Sequence, residues 1–224
     1  MDWSAIALSL RLAAATTLVL LAIGLPLAAW LAFSKRRGRW LVDAVVALPL
    51  VLPPTVLGFY VLVALGPRSP IGYAYEALTG SRIVFSFQGL LIASVLYSLP
   101  FAVQPFAAAF AAVDRSLIET AWCLGASKLR TFTRVVMPLA RPGIVAGVVL
   151  SFAHTIGEFG VVLMVGGNLP GRTRTISVSI YDDVQAFDYA RAGRTAAVLL
   201  VFSFIVLATT YRQQRRAGRA WPVA

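Results

Sequence analysis

Ser151, His154, Thr155 and Glu158 lie three or four residues apart in the run SFAHTIGEFGVVLMVGGN, so on a helix they share one face or adjoin it. Taken alone, a hydroxyl, an imidazole and a carboxylate at that spacing could supply a nucleophile, a base and an orienting acid. No nucleophile elbow, second catalytic motif or metal-ligand set accompanies them. The flanking residues are apolar enough to span a bilayer, where a carboxylate costs several kcal/mol unless it is paired, hydrated or protonated. Two readings follow. The polar side chains make an interhelical hydrogen-bond pair that fixes packing, or they line a hydrated path or its gate. Gly157 and Gly160, on either side of Glu158, would let another backbone approach closely.

The elements that must hold this stretch are membrane helices. The chain is 59% hydrophobic and 13% charged, too apolar for a soluble domain of 224 residues. Its net charge of +11 sits in short clusters at the ends of apolar runs, which favours membrane topology over nucleic-acid binding. One cysteine (Cys123) and one histidine exclude an intrachain disulfide and argue against a structural metal site. An all-α, polytopic, single-domain protein is predicted, with five spans at about 12–33, 41–65, 87–112, 143–165 and 195–211. The first run is too long for a signal peptide and lacks its cleavage site, so it is kept as a span, kinked at Pro26. Pro49, Pro53 and Pro54 interrupt the second, which is either a kinked packing helix or a break lining a pathway. Gly143 and Gly147 allow close approach in the fourth.

Lys and Arg decide the orientation. Thirteen fall in 34–40, 114–141 and 212–224, against six in 66–86 and 166–194, which predicts an external N-terminus and a cytoplasmic C-terminus and central loop. Within 166–194, Arg172 and Arg174 could concentrate an anion, but Asp182, Asp183 and Asp188 nearly neutralise the stretch, and a solvated loop is the preferred reading.

The central loop, 114–141, is itself written as helices. Asp114 is a candidate N-cap, Leu117, Ile118, Ala121 and Leu124 recur at helical spacing, Gly125 stands where a helix would stop, and a second short helix can restart at Ser127. Glu119, Thr120, Ala121, Gly125, Val135, Met137 and Pro138 match in register the EAA motif of bacterial ABC-importer permeases, with Thr120, Val135 and Met137 replacing residues of similar bulk. The chain is therefore similar to that family, and the stretches LPLVLPPTVLGFY, SLPFAVQPFAAAFAAVD and AHTIGEFGVVLMVGGNLPGRTRTISVSIYD resemble the molybdate importers within it. Sulfate and tungstate permeases are close relatives of these.

The resemblance implies a type I importer permease fold in a bacterial cytoplasmic membrane and no enzymatic activity. It implies a homodimer, two ABC ATPase subunits docked on the loop carrying Glu119 and Gly125, and an extracytoplasmic molybdate-binding protein. ATP and Mg would be used by the ATPases, with no cofactor on this chain, whose sequence has no GxxxxGK[ST] loop. A secondary transporter working without ATP is the competing class, with Glu158 and His154 as its only conceivable proton relay.

Overall fold

The computed structural model describes residues 2–219, all of whose regular elements are helical. Helix α1 (Trp3–Phe33) starts on Asp2, whose Oδ1 accepts hydrogen bonds from the Ala5 amide at 3.1 Å and the Ser4 hydroxyl at 2.8 Å. It continues unbroken through Pro26. Its 31 residues reach about 46 Å, more than the hydrocarbon core needs, so the helix extends beyond the predicted span at its N-terminal end. The extra turns are held by partners: Arg11 lies 4.7 Å from the Phe87 ring centre, and the Ser9 hydroxyl accepts the Ile176 amide at 2.8 Å.

The predicted second span is two helices, α2 (Arg39–Val51) and α3 (Pro54–Leu65), whose axes turn through 112°. Pro49 is accommodated inside α2; Pro53 and Pro54 make the break. A residue preceding proline is pushed out of the helical region, and both Leu52 (ψ 135°) and Pro53 (ψ 137°) are extended. Pro54 then starts α3 from the first helical position, where its missing N–H costs nothing. Of the two readings of this segment, the break is therefore the one formed: two helices meet at a sharp corner instead of one kinked helix.

Helix α4 (Pro70–Thr79) follows, capped by Ser69 and ended by Gly80 at φ 67°. Helix α5 (Phe87–Ala111) absorbs Pro100 and Pro105 without a break. It packs lengthwise on α1, and Phe106 and Phe110 are among the largest fully buried side chains. After α6 (Arg115–Cys123), α7 (Lys128–Thr131) runs through a π-helical turn at Phe132–Val136 directly into α8 (Met137–Gly157).

The fourth span differs from its predicted 143–165 at both ends. It begins at Lys128, because the second limb of the central loop is continuous with it, and it stops at Gly157. Its outer part becomes a separate short helix, α9 (Gly160–Gly166). Gly143 and Gly147 behave as predicted: a Cβ on Gly147 would fall 2.5 Å from the Phe106 ring and 3.0 Å from the Ala102 carbonyl oxygen. Lipid tails are as apolar as leucine, so association here depends on such close fit more than on burial of apolar area.

Residues 166–194 are not a solvated loop. Thr173 is fully buried, donates to the Gly166 carbonyl at 2.6 Å and accepts from the Leu169 amide at 3.3 Å, folding the chain back into α10 (Ile176–Gln185). The Ser177 hydroxyl in α10 donates to the Ile156 carbonyl at 3.2 Å, satisfying one of the free acceptors at the end of α8. Helix α11 (Tyr189–Arg219) supplies the last span and begins six residues before the predicted 195. Among the described residues, four helices are long and apolar enough to cross a membrane, or five counting the bent α2–α3 pair.

Candidate functional site

The polar run Ser151–Glu158 lies where α8 ends. Gly157 is its last helical residue, and Glu158 is extended (φ −68°, ψ 134°), so Glu158 leaves the helical register and does not share a face with His154. Carbonyls freed at the helix end find donors: the Ser177 hydroxyl donates to that of Ile156, and the Glu158 amide donates to that of Thr155. The pairing of His154 with Glu158 is thereby removed.

His154 instead binds across to α5. Its Nδ1 is 3.0 Å from the Ser98 hydroxyl, which lies 3.0 Å from the Thr155 hydroxyl, and Thr155 donates to the Ser151 carbonyl at 2.8 Å. The Phe101 ring stacks on the imidazole with centroids 3.9 Å apart, and Tyr97 lies 5.0 Å away. The Ser151 hydroxyl donates to the Val148 carbonyl at 3.1 Å. Ser151 and His154 thus have different partners, and the nucleophile–base arrangement considered from sequence is not formed. Interhelical packing is what His154 and Thr155 do.

Glu158 differs. It is 4% exposed, and neither carboxyl oxygen has a hydrogen-bond partner among the described residues. Ser94 is adjacent, and its own hydroxyl is likewise buried without a partner by strict geometry. A buried polar group left unpaired costs about 1–3 kcal/mol, so this carboxyl is a local liability retained inside an otherwise well-fitted core.

The two glycines beside it are not equivalent. A Cβ on Gly157 would meet nothing within 4 Å, which removes the expected close approach there. A Cβ on Gly160 would lie 2.7 Å from the Pro54 Cβ. One turn further on, a Cβ on Gly58 would lie 2.8 Å from the Met164 Cβ. The break between α2 and α3 and the break between α8 and α9 therefore abut, and α3 and α9 pack through glycines. Irregular backbone at membrane depth is tolerated where protein or a water-filled cavity covers it; here the contact of Gly160 with Pro54 covers part of each break, while Pro53 and Gly157 are exposed.

The second candidate region is the central loop. Asp114 caps α6 by accepting the Ser116 amide at 2.9 Å, and that hydrogen bond holds its carboxyl below the usual carboxylate range. Ile118, 8% exposed, inserts among Phe110, Val113 and Val136 and ties α6 to the ends of the spans. Gly125 has φ 80°, and the Ala126 amide bonds the Ala121 carbonyl at 3.0 Å, a left-handed stop of the kind glycine favours. Glu119 and Thr120 are exposed and Ala121 is half-buried. Ser127 then caps α7 by accepting the Arg130 amide at 3.3 Å.

Val135, Met137 and Pro138 stand in the π turn and the first turn of α8, not in a loop. Pro138 explains the wide turn, because in a regular α-helix its ring would press on the Arg134 carbonyl and leave it without a donor. The resulting helical rod, Lys128–Gly157, has 30 residues and a length of about 45 Å, and joins the loop to the break at Glu158.

Reasoning from sequence missed Ser94 and Ser98, four apart in the apolar span α5; that spacing was the available signal. It also missed an outer cluster. Asn168 donates to both Asp182 carboxylate oxygens at 2.6 Å, Arg174 Nε donates to Asn168 Oδ1 at 2.6 Å, and Arg174 pairs with Asp182 at 3.2 Å. Arg174 is thus committed to holding α10, which removes it as a free anion-attracting charge.

Residues 24–217 match the family described as binding-protein-dependent transport system inner membrane component. The chain is 52% identical over 218 residues to the molybdenum transport system permease protein ModB of Azotobacter vinelandii, covering 97% of this chain and 96% of that one. It is 37% identical over 207 residues to the ModB protein of Escherichia coli K12, covering 92% and 89%. Its fold resembles a chain from an inward-facing structure of the MetNI methionine ABC transporter, with a TM-score of 0.75 at 15% identity and coverage of 97% and 96%.

Proposed function

Because the chain belongs to the family of binding-protein-dependent transport system inner membrane components, we propose that it is the permease subunit of an ATP-binding-cassette importer that carries molybdate. It is an all-α, multi-pass inner-membrane protein. The observation that carries the substrate is the 52% identity to a molybdenum permease over nearly the whole of both chains. In this reading two copies enclose the pathway, two ATPase subunits dock from the cytoplasm and use ATP and Mg, and an extracytoplasmic binding protein delivers the oxyanion. The excess of Lys and Arg in 34–40 and 114–141 supports a cytoplasmic central loop and an external N-terminus.

The geometry supplies a route for coupling. The ATPase would bear on α6 around Glu119, Thr120, Ala121 and Gly125. Ile118 fixes α6 to the span ends, so a displacement of α6 is passed to the rod Lys128–Gly157 and not dissipated in a slack loop. Val135 lies in its π turn, a feature frequent at functional sites, and Met137 and Pro138 in the first turn of α8 beyond it. At the far end the rod stops at Glu158, and the contact of Gly160 with Pro54 carries its motion to α3. His154 and Thr155 hold α8 to α5 through Ser98, while Glu158 and Gly160 mark the place where the path would open.

A cell lacking this chain should accumulate less molybdenum at limiting external molybdate, measured by elemental mass spectrometry, and should recover when molybdate is supplied in large excess. Undiminished accumulation at limiting molybdate, with no other molybdate importer present, would remove the substrate assignment.

A further inference from the structure

Between the membrane-facing side of α6 and the ends of α1 and the Lys128–Gly157 rod lies a cavity of about 530 Å³, in the size range of sites that hold small ligands. Three cations line it from three separate elements: Lys35 just beyond α1, Arg115 at the start of α6 and Lys128 at the start of α7. Among the described residues none of them has a carboxylate within 4.0 Å. Its one acidic lining residue is Glu119, so the net lining charge is positive. Phe33, Ile118 and Phe132 give the cavity an apolar wall, and Trp122 stands at its edge, half exposed. Phe33 is the last residue of a span, which places the cavity at the boundary between hydrocarbon and water.

We propose that this cavity binds the phosphate-bearing headgroup of an anionic phospholipid, with phosphatidylglycerol as the simplest example. Basic pockets between membrane helices on the cytoplasmic side suit such headgroups, and tryptophan favours that depth. Lys35, Arg115 and Lys128 neutralise the phosphate, the apolar wall takes the glycerol backbone and first methylenes, and Glu119 accepts a hydroxyl of the headgroup. Lipid then joins the end of α1 to α6 and α7, the elements that otherwise meet there only through Ile118 and its neighbours. This rests on the reading of 114–141 as a cytoplasmic coupling loop.

The test uses the full transporter in detergent, with lipid binding read by native mass spectrometry against phosphatidylglycerol, phosphatidylethanolamine and phosphatidylcholine, and with inorganic phosphate as competitor. Each cation lost is expected to weaken phosphatidylglycerol binding about fivefold. The combined variant Lys35→Gln, Arg115→Gln, Lys128→Gln should therefore lose about a hundredfold. The double variant Arg36→Gln, Arg37→Gln, exposed and outside the cavity, should stay within about threefold of the parent.

Equal loss in both variants would show diffuse surface attraction and overturn the site. Equal binding of the three lipids, or displacement by millimolar phosphate, would overturn the lipid assignment. ATP-dependent molybdate uptake by the unsubstituted transporter is measured in parallel. Absent uptake there rejects the transport reading, whereas normal uptake without lipid selectivity rejects this inference alone.

Discussion

Replacing Gly160 and Gly157 by alanine, one at a time, separates a packed helix break from an open one. The two residues are three apart and flank the same irregular segment. On Gly160 the new Cβ would lie 2.7 Å from the Pro54 Cβ, about 1 Å inside the optimal separation of two carbons. Pro54 cannot rotate away, because its ring is fixed to the backbone at the first position of α3. Relief therefore requires α3 and α9 to separate, at a cost of about 1–3 kcal/mol, the range for overpacking a close-fitted core. On Gly157 the Cβ meets nothing within 4 Å, φ is not in the left-handed region, and alanine stabilises a helical position by about 0.5–1 kcal/mol. The difference between the variants is then roughly 1.5–4 kcal/mol. It is read as the separation of their unfolding midpoints in detergent, with Gly160→Ala the less stable. Molybdate uptake by Gly160→Ala is expected to fall at least tenfold, since the same contact carries motion from α9 to α3. Equal midpoints for the two variants would refute the claim that the breaks support one another.

Three further outcomes follow from the same geometry. Gly125→Val places a β-branched residue at φ 80°, at a cost of about 1–2 kcal/mol, and should abolish uptake while membrane insertion, followed by protease accessibility, persists; normal uptake would remove the coupling role of this turn. Glu158→Met replaces a buried, unpartnered carboxyl with an apolar side chain of similar length and should raise the unfolding midpoint while lowering uptake; a lowered midpoint would mean that the carboxyl has a stabilising partner. The Asp114 carboxyl is held below its ordinary pKa of 3.8 in the folded protein, so its cap is present above that value and is lost as pH falls through the lower, folded one. Amide exchange in Arg115–Cys123 should accelerate over that acid range and do so less in Asp114→Asn, whose side chain caps without titrating; identical profiles would contradict the assignment.

The helical, membrane-spanning class and the start and stop of α6 were legible because they depend on local chemistry: apolar run length, an Asp N-cap and a glycine at a left-handed turn. The ends of the fourth span were not. Hydropathy cannot tell that a basic segment running into a proline, such as Lys128–Pro138, stays helical, because a π turn makes room for Pro138. Nor can it see that α8 stops at Gly157, where the Ile156 carbonyl is met by the Ser177 hydroxyl, some twenty residues on. Helical spacing placed His154 and Glu158 together, and one extended residue separated them. Gly157 and Gly160 read alike in sequence; only the position of Pro54 distinguishes them. The charged stretch 166–194 looked like a solvated loop because balanced charge says nothing of which groups pair, whereas Arg174, Asn168 and Asp182 satisfy one another beside the buried Thr173 and Ile176.

Uptake of labelled molybdate into proteoliposomes containing this chain, its ATPase and its binding protein, with and without internal ATP and with excess external sulfate, tests the central claim most directly. Uptake that requires ATP and persists in sulfate is the expected result. Uptake that continues without ATP would contradict an importer driven by a partner ATPase, and uptake abolished by sulfate would contradict molybdate as the preferred cargo.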